Sequence, residues 1–569
     1  MTSLLLLSAI PPGLWLMLGG VLLPVLGRRG RGVAMLALPL FVLWMVWLAP
    51  DGGGPNVPFL DYLLVPVRAD ALGRLFATIF AIMAFGGGIY ALNRDNSTEL
   101  SAAMIYAGGA IGVAMAGDLV TVFVFWEIMA AASMMVLWSA GTRRSYRAGF
   151  RYIVIHLLGG VVLMSGIAAY VAETGSIDFV NMTFALETGN PAPWLILAGF
   201  LLNAGAPPLS AWLPDAYPEA SVSGTVTLSA FTTKTAVYVL LRGFPGAEIL
   251  IWIGLYMAFY GIIYALLEND MRRILAYSIV NQVGFMVTGI GIGTEMALNG
   301  AAAHAFAHII YKGLLLMSAG SVLHMTGKRK CSDLGGLFRS MPITTTCGIV
   351  GALSISAFPL TSGFISKSMI AQGAADSHLA WVWFLLTAAS AGVFLHAGIK
   401  FPWFVFFQKD SGLRPPDPPL NMRIAMILFA VLCIAIGVYP AALYALLPFP
   451  VDFVPYTGGH VVGILQLLMF AGLAFFLLLP QMRRTPTITL DVDWFWRRFG
   501  RAVAREFTVR GTKARGHVEA ATHRRVERFI ARIARHHGPQ GMLARSWPTG
   551  STVLWVAFLL GVYLVFYYV

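Results

Sequence analysis

The stretch FLLNAGAPPLSAWLPDAYPEASVSGTVTLSAFTTKTAVYVLLR, residues 200–242, decides how the rest of the chain is read. It begins as an apolar helix and breaks at Ala206-Pro207-Pro208. It then carries Asp215 and Glu219 across a polar connection and resumes as a helix with a lone ammonium, Lys234. Proline lacks an amide donor and clashes with the preceding turn, so Pro207 and Pro208 together free several backbone carbonyls. In hydrocarbon, such carbonyls persist only where protein covers them or where they line a wet cavity. A broken helix beside an intramembrane lysine therefore reads as part of an ion path. The competing reading is a proline kink with a lysine that snorkels to the surface. Lys234 stands twelve residues after Val222 and eight before Arg242, near mid-helix, which favours the ion path.

The surrounding chain of 569 residues is 58% hydrophobic and 11% charged. Apolar runs longer than about 18 residues recur along it, so the expected fold class is an all-α polytopic membrane protein. About sixteen transmembrane helices are expected, near residues 3–26, 33–49, 70–92, 100–116, 119–140, 150–172, 193–213, 222–242, 246–267, 272–292, 296–325, 342–372, 380–407, 421–446, 460–480 and 550–569. No soluble domain with its own core fits between them. Residues 1–27 lack a basic start and are followed by Arg28, Arg29 and Arg31, which suits a first span rather than a cleavable signal peptide. Cys331, Cys347 and Cys433 show neither metal-ligand spacing nor a disulfide framework and read as structural thiols.

The net charge is +13, and most of it sits in one place: Arg483 to Arg545 holds fifteen Lys and Arg against five Asp and Glu. A basic segment beside a final span points to anionic lipid or a partner surface, not to nucleic acid. Basic residues also gather in alternate connections, at Arg28-Arg29-Arg31, Arg143-Arg144-Arg147-Arg151, Arg272-Arg273 and Lys328-Arg329-Lys330. Asp51, Asp61, Glu173, Asp178 and Asp452 mark the others. The positive-inside tendency then puts the basic connections in the cytoplasm and both termini outside, in a multi-pass protein of the inner (plasma) membrane.

A weak internal echo pairs Ala206-Pro207-Pro208-Leu209-Ser210 with Ala357-Phe358-Pro359-Leu360-Thr361, and Lys367 follows the second break. Two proline-interrupted segments in matching places suggest two repeated bundles, inverted by the loop count, with a site near the breaks. Glu127 lies eight residues into an otherwise apolar helix. An ionised group there costs roughly 2.5–3.5 kcal/mol, so it needs a partner or a task. His304, His308 and Lys312 recur at four-residue spacing and share one helix face. That stripe is open to three readings: proton relay, structural hydrogen bonding, or a metal pair, the last without a visible third ligand. His156 and His396 read as core histidines, and Lys400, near a helix end beside Pro402, as a snorkelling residue. Phosphate-binding loops, dinucleotide fingerprints and iron–sulfur spacings are absent from the sequence, so no cofactor is expected and energy must come from an ion gradient or from partner subunits.

The segments WLPDAYPEAS (212–221), TTKTAVYVLLR (232–242), NDMRRILAYSIVNQVGF (269–285), HIIYKGLLL (308–316) and PLTSGFISK (359–367) resemble the antiporter-like proton-translocating family. That family includes subunits A and D of the multi-subunit Mrp-type Na+/H+ antiporters and the antiporter-like subunits of respiratory complex I. The likeness spans roughly residues 70–410. It implies a core of fourteen helices with two inverted five-helix bundles, broken helices and a hydrated central axis. It also implies a row of titratable groups, which by motif fall on Glu127, position 203, Lys234 with His308, and Lys367. Where the pattern expects lysine this chain has Asn203, and where it expects PLH the chain has Pro208-Leu209-Ser210. An asparagine holds no proton, so either Lys234 substitutes or this half of the path is impaired.

The resemblance implies a component like the D-type subunit of a hetero-oligomeric cation (Na+)/H+ antiporter, a transporter rather than an enzyme. The alternatives are a proton-pumping subunit of complex I or a related hydrogenase, and a scaffold or carbon-uptake partner without cation exchange. The expected organisation is N-terminal helices at 1–69, antiporter-like core at 70–410, further core helices at 411–480, a basic arm at 481–549 and a final span at 550–569. In the arm, Trp494, Phe495, Phe499, Val503 and Phe507 recur at helical spacing among arginines, as in an interfacial amphipathic helix, with Gly511 and Gly516 expected to interrupt it.

Overall fold

Polar caps set where the helices begin. In the computed structural model, Asp70, Asn96, Asp118, Thr142, Asp270 and Thr294 each accept a hydrogen bond from a first-turn amide through the side chain. These bonds satisfy donors that a helix start leaves free. Residues 10–52, 54–480, 496–539, 541, 544–546 and 548–568 are described. The first helices are α1 (Pro12–Leu22, extended by the 3₁₀ turn Leu23–Val25), α2 (Arg28–Leu48), α3 (Ala71–Ala91), α4 (Ser97–Met115), α5 (Leu119–Trp138), α6 (Arg143–Thr174) and α7 (Pro191–Ala204). Next come α8 (Val222–Leu228), α9 (Thr232–Gly243), α10 (Ile249–Leu267), α11 (Met271–Ile292), α12 (Glu295–Thr326), α13 (Pro342–Ile355) and α14 (Ser362–Asp376). The series closes with α15 (Ala380–Val393), α16 (Leu420–Val438), α17 (Gly458–Leu478), α18 (Arg501–His537) and α19 (Thr549–Tyr568). A short antiparallel hairpin, β1 (Val57–Phe59) and β2 (Tyr62–Leu64), pairs Val57 with Leu64.

The protein is an all-α polytopic membrane protein. Twelve of the described helices are long and apolar enough to cross a membrane. The other expected spans are shorter or divided: α1 and α7 are short, residues 222–242 split into α8 and α9, and residues 342–372 into α13 and α14. α12 is buried along nearly its whole length, and α11 is buried beside it. α10 and α11 meet backbone to backbone, because a Cβ on Gly284 would stand 2.5 Å from the Gly254 carbonyl oxygen. Small residues permit that approach where water cannot drive packing.

The break between α8 and α9 corrects the sequence reading of one continuous helix. It contains no proline. The Tyr106 hydroxyl inserts instead: it accepts from the Thr232 amide at 2.9 Å and reaches the Leu228 carbonyl oxygen at 3.5 Å. Those are the two groups that an unbroken helix would pair with each other. A side chain inserted into the ladder is a sufficient cause for a break.

Arginines tie the polar connections at one end of the bundle. Arg151 pairs with Asp215 at 2.5 Å, and Arg329 with Glu219 at 2.8 Å and with Asp270. Arg272 donates to the carbonyl oxygens of Ala220 and Ser221, each at 2.9 Å. Burial alone would raise the Glu219 carboxyl, but the hydrogen bond and charge of Arg329, backed by Arg273 and Arg144, hold it below the usual glutamate value. Elsewhere Arg242 forks onto both oxygens of Asp70 at 2.8 and 2.7 Å, joining the end of α9 to the start of α3.

After α15 the chain winds through π-helical turns, Phe394–Lys400 and Trp403–Phe407. Lys400 lies inward there, a second correction. Its side chain is buried, and Nζ donates to the carbonyl oxygens of Ala265 at 3.0 Å, Leu266 at 2.5 Å and Glu268 at 2.6 Å, at the C-terminal end of α10. It does not snorkel.

Residues divide into two compact units, Met1–Asp491 and Val492–Val569. In the second, α18 runs unbroken for 37 residues through Gly511 and Gly516, about 55 Å at 1.5 Å per residue. The expected interruption is absent there. Val503 and Phe507 are exposed on it and Phe499 in the π-helical turn before it, whereas Trp494 and Phe495 lie outside the described residues.

Two outcomes follow for stability. Lys400→Met keeps the chain length but leaves three carbonyls without their donor, so melting of the purified protein in detergent should fall by the equivalent of about 1–3 kcal/mol. A snorkelling lysine would show no change. Because the Glu219 carboxyl is held below its ordinary value, the Arg329 contribution is present at neutral pH and is lost as pH falls through the folded-state value. Arg329→Ala should therefore lower the melting temperature at pH 7 and cost progressively less in acid.

Candidate functional site: a buried row of lysines and histidines

Lysines in an apolar helix need acceptors, and here the acceptors are helix ends. Lys234 Nζ, in the first turn of α9, donates to the Ser229 carbonyl oxygen at 2.7 Å and to Thr233 Oγ1 at 3.1 Å. Ser229 caps the C-terminus of α8. Lys367 Nζ, on α14, donates at 2.8 Å to the carbonyl oxygen of Ile355, the last residue of α13, and lies 4.8 Å from the centre of the Phe285 ring. Each ammonium thus sits where unpaired carbonyls carry partial negative charge. Among the described residues, no salt bridge involves Lys234, Lys312 or Lys367. The second break also carries Ala357 at φ 58° and Leu360 at φ 66°, flanking Pro359, in a region that side chains disfavour.

α12 carries the histidine stripe between these lysines. His304, His308 and Lys312 are all fully buried. His304 is held on both ring nitrogens, with Nδ1 2.9 Å from Ser366 Oγ and Nε2 3.1 Å from Gln282 Oε1. Tyr311 OH donates to the same Gln282 oxygen at 3.0 Å. Lys312 Nζ donates to Ser278 Oγ at 2.8 Å. His308 differs, because neither ring nitrogen has a hydrogen-bond partner. Its ring centroid lies 6.3 Å from that of His304, and it is within electrostatic reach of Lys234, Lys312 and Lys367. At the far end Lys367 borders a cavity of about 50 Å³ that Ser368, Thr387 and Ser390 also line. That space accommodates a few waters.

Glu127 stands apart from this group. It is half-buried on α5, and its Oε1 has no partner. That oxygen lies 2.1 Å from where a Cβ on Gly160 of α6 would stand, so only glycine leaves it room. Asn203 faces the neighbouring Gly159, its Oδ1 3.7 Å from the corresponding point, and both its amide atoms are buried without partners. Glu127 and Asn203 therefore share the Gly159-Gly160 step. Among the described residues, no hydrogen bond or ion pair joins Glu127 to Lys234. Pro207 and Pro208 lie in the turn after Gly205, whose φ of 81° ends α7, and are joined by a cis bond. Asp215 lies among the arginines at the bundle end. His156 and His396 each place Nδ1 on a carbonyl oxygen of their own helix, at 2.9 and 2.8 Å.

Several buried carboxylates escaped the sequence reading; Asp118 and Asp270 cap helices, and Glu99 is tied to distant side chains. Glu99, in the first turn of α4, accepts from Ser221 Oγ at 2.6 Å and from Ser223 Oγ, beside a cavity of about 30 Å³ that Thr227 and Phe231 also line. An acidic residue near a helix start is ordinary, so only the pair of distant serines marks it as unusual.

Comparison with known proteins places the chain in a family. Residues 116–393 match the family described as NADH:quinone oxidoreductase/Mrp antiporter, TM. The chain is 30% identical over 366 residues to the D-type subunit of the Na(+)/H(+) antiporter of Alkalihalophilus pseudofirmus, covering 59% of this chain and 74% of that one. It is also 30% identical over 377 residues to the N-type subunit of the NADH-quinone oxidoreductase of Desulforudis audaxviator, covering 62% and 75%. In the solved structure of the Mrp complex from Dietzia sp. DQ12-45-1b, a chain 23% identical superposes with a TM-score of 0.75 over 89% of this chain and 60% of that one, a likeness of fold. With relatives this similar over more than two thirds of their own length, the chain belongs to the NADH:quinone oxidoreductase/Mrp antiporter family of membrane subunits.

Proposed function

We propose that this chain is a subunit of a multi-subunit monovalent cation/proton antiporter of the plasma membrane, with Na+ as the coupled cation. In this reading it moves protons along a path from Glu127 through Lys234, His308 and Lys367, with His304 and Lys312 flanking it. The observation that carries the reading is the row of buried lysines and histidines spanning two helix breaks without a carboxylate counter-ion among the described residues. Ammonium groups held by carbonyl dipoles gain and lose protons without breaking an ion pair. Several positive charges within reach of one another also oppose simultaneous protonation, so a proton arriving at one site displaces one from its neighbour. His308, free on both nitrogens and central to the group, accepts from Lys234 and hands on towards Lys367. Cation or proton arrival at Glu127 sets the sequence in motion.

The segments take their places within that reading. Residues 1–69 and 411–480 brace the transport core at 70–410, both termini face outward, and the basic residues 481–549 dock on anionic lipid or a partner subunit ahead of the last span at 550–569. A second reading is the membrane arm of a redox-driven proton pump, favoured by the equal identity to an NADH-quinone oxidoreductase subunit. Genes for small antiporter subunits beside this one support the first reading; genes for quinone or hydrogenase subunits support the second.

Cation-driven proton movement in everted vesicles carrying the whole complex checks the path. Glu127→Ala and Lys367→Ala should each abolish exchange with assembly intact, and full exchange by either rules out the assignment. Gly160→Ala keeps every charge but drives the Glu127 carboxylate from its place. It should lower exchange at least tenfold, about 1.4 kcal/mol. Gly159→Ala meets a movable Leu202 methyl at 3.2 Å and Asn203 Oδ1 at an ordinary contact distance of 3.7 Å, and should retain most of the activity.

A further inference from the structure

Glu127 and Lys234 need a connection that neither makes directly. Buried hydroxyls run from α5, which carries Glu127, to the start of α9, which carries Lys234. Ser133 Oγ on α5 is 2.9 Å from Tyr152 OH on α6, and Tyr152 OH is 3.4 Å from Thr232 Oγ1 at the start of α9. Tyr106 OH, the group inserted into the α8–α9 break, is 2.5 Å from the same Thr232 oxygen. One residue on, Thr233 Oγ1 accepts from Lys234 Nζ at 3.1 Å. Ser133, Tyr106, Tyr152, Thr232, Thr233 and Lys234 are all buried.

The cluster also points back towards Glu127. His156 stacks on Tyr152 with ring centroids 3.9 Å apart. Its Nδ1 faces the Tyr152 carbonyl oxygen, to which it can only donate, so Nε2 is left as an acceptor. That Nε2 is buried without a partner. Gly160, against which Glu127 rests, is one turn further along the same face of α6. Six residues of α5 separate Glu127 from Ser133, a rise of about 9 Å. His156 Nε2 and the Asn203 amide are unpartnered polar groups beside that interval, the kind of site that ordered water satisfies. Asn203 itself carries no proton.

We propose that Tyr152 and Thr232 form a hydroxyl bridge that carries protons between Glu127 and Lys234, in place of any ammonium at position 203. Each hydroxyl takes one proton on a lone pair and gives up its own. The proton that leaves Glu127 at one end is therefore matched by one added to the neutral Lys234 amine at the other, and no net charge stays on the bridge. His156 is a positioning residue that fixes the Tyr152 ring. The inference rests on the transport reading above and deepens it.

The test uses the whole complex in vesicles, with cation-driven proton flux followed by a pH-sensitive dye and assembly followed by co-purification. Tyr152→Phe keeps the ring stack and removes the hydroxyl; Thr232→Val keeps the shape. Each should lower flux at least tenfold with the KM for the cation unchanged. Adding Asn203→Lys to Tyr152→Phe places an ammonium at the Gly159-Gly160 step and should restore flux to within about threefold of Asn203→Lys alone. Wild-type flux in both hydroxyl variants overturns the bridge. So does a loss that Asn203→Lys fails to restore, since that marks the hydroxyls as packing groups. Should Tyr152→Phe not assemble, Thr232→Val with and without Asn203→Lys decides by the same criteria. Absence of exchange in the wild-type complex is read in its own arm and overturns the transport reading, and the bridge with it.

Discussion

An ammonium resting on the carbonyl end of an interrupted helix is the interaction on which the rest of this protein depends. Lys234 occupies the end of α8, Lys367 the end of α13 and Lys400 the end of α10. In each case two costs cancel. A buried lysine lacks water, a helix end in the membrane lacks donors, and each supplies what the other is missing. Carboxylates serve elsewhere, at the bundle ends, where Asp215, Glu219 and Asp70 hold arginines. A lysine bound to a neutral carbonyl keeps an acceptor whether or not it is charged, whereas one locked to a carboxylate would pay to lose its proton. The arrangement suits charge that must come and go.

The first break is built by a side chain from far away. Tyr106 reaches from α4 to replace both halves of a missing backbone bond, and it is also part of the hydroxyl cluster that runs to Tyr152. The group that opens the helix for Lys234 is thus bonded to Thr232, a member of the proposed proton route to it. The second break instead uses Pro359 with two residues forced to positive φ, strain that the packing around α14 and α16 must hold in place.

Much of this was legible in the chain. The apolar runs, the proline breaks and the isolated charges at Glu127, Lys234, His308, Lys312 and Lys367 stand out because a membrane makes each polar group conspicuous. What stayed hidden has physical causes. The α8–α9 break depends on Tyr106, more than a hundred positions away, and leaves no local mark. Lys400 looked free to reach the surface because it stands near a helix end beside Pro402, and its carbonyl acceptors lie more than 130 positions away at the end of α10. Gly511 and Gly516 cost about 1 kcal/mol each, too little to break a helix of 37 residues. The partnerless state of His308 and Asn203 is a property of what surrounds them, which no motif records.

The central claim is that Lys234 and Lys367 change protonation during transport. The direct measurement is solid-state NMR of the complex in vesicles, labelled with nitrogen-15 at lysine Nζ and recorded with and without an imposed cation gradient. Lysine-to-methionine variants assign the two signals. The account predicts that both move between the ammonium and neutral amine positions when the gradient is applied. Two resonances fixed at the ammonium position under every gradient would contradict it.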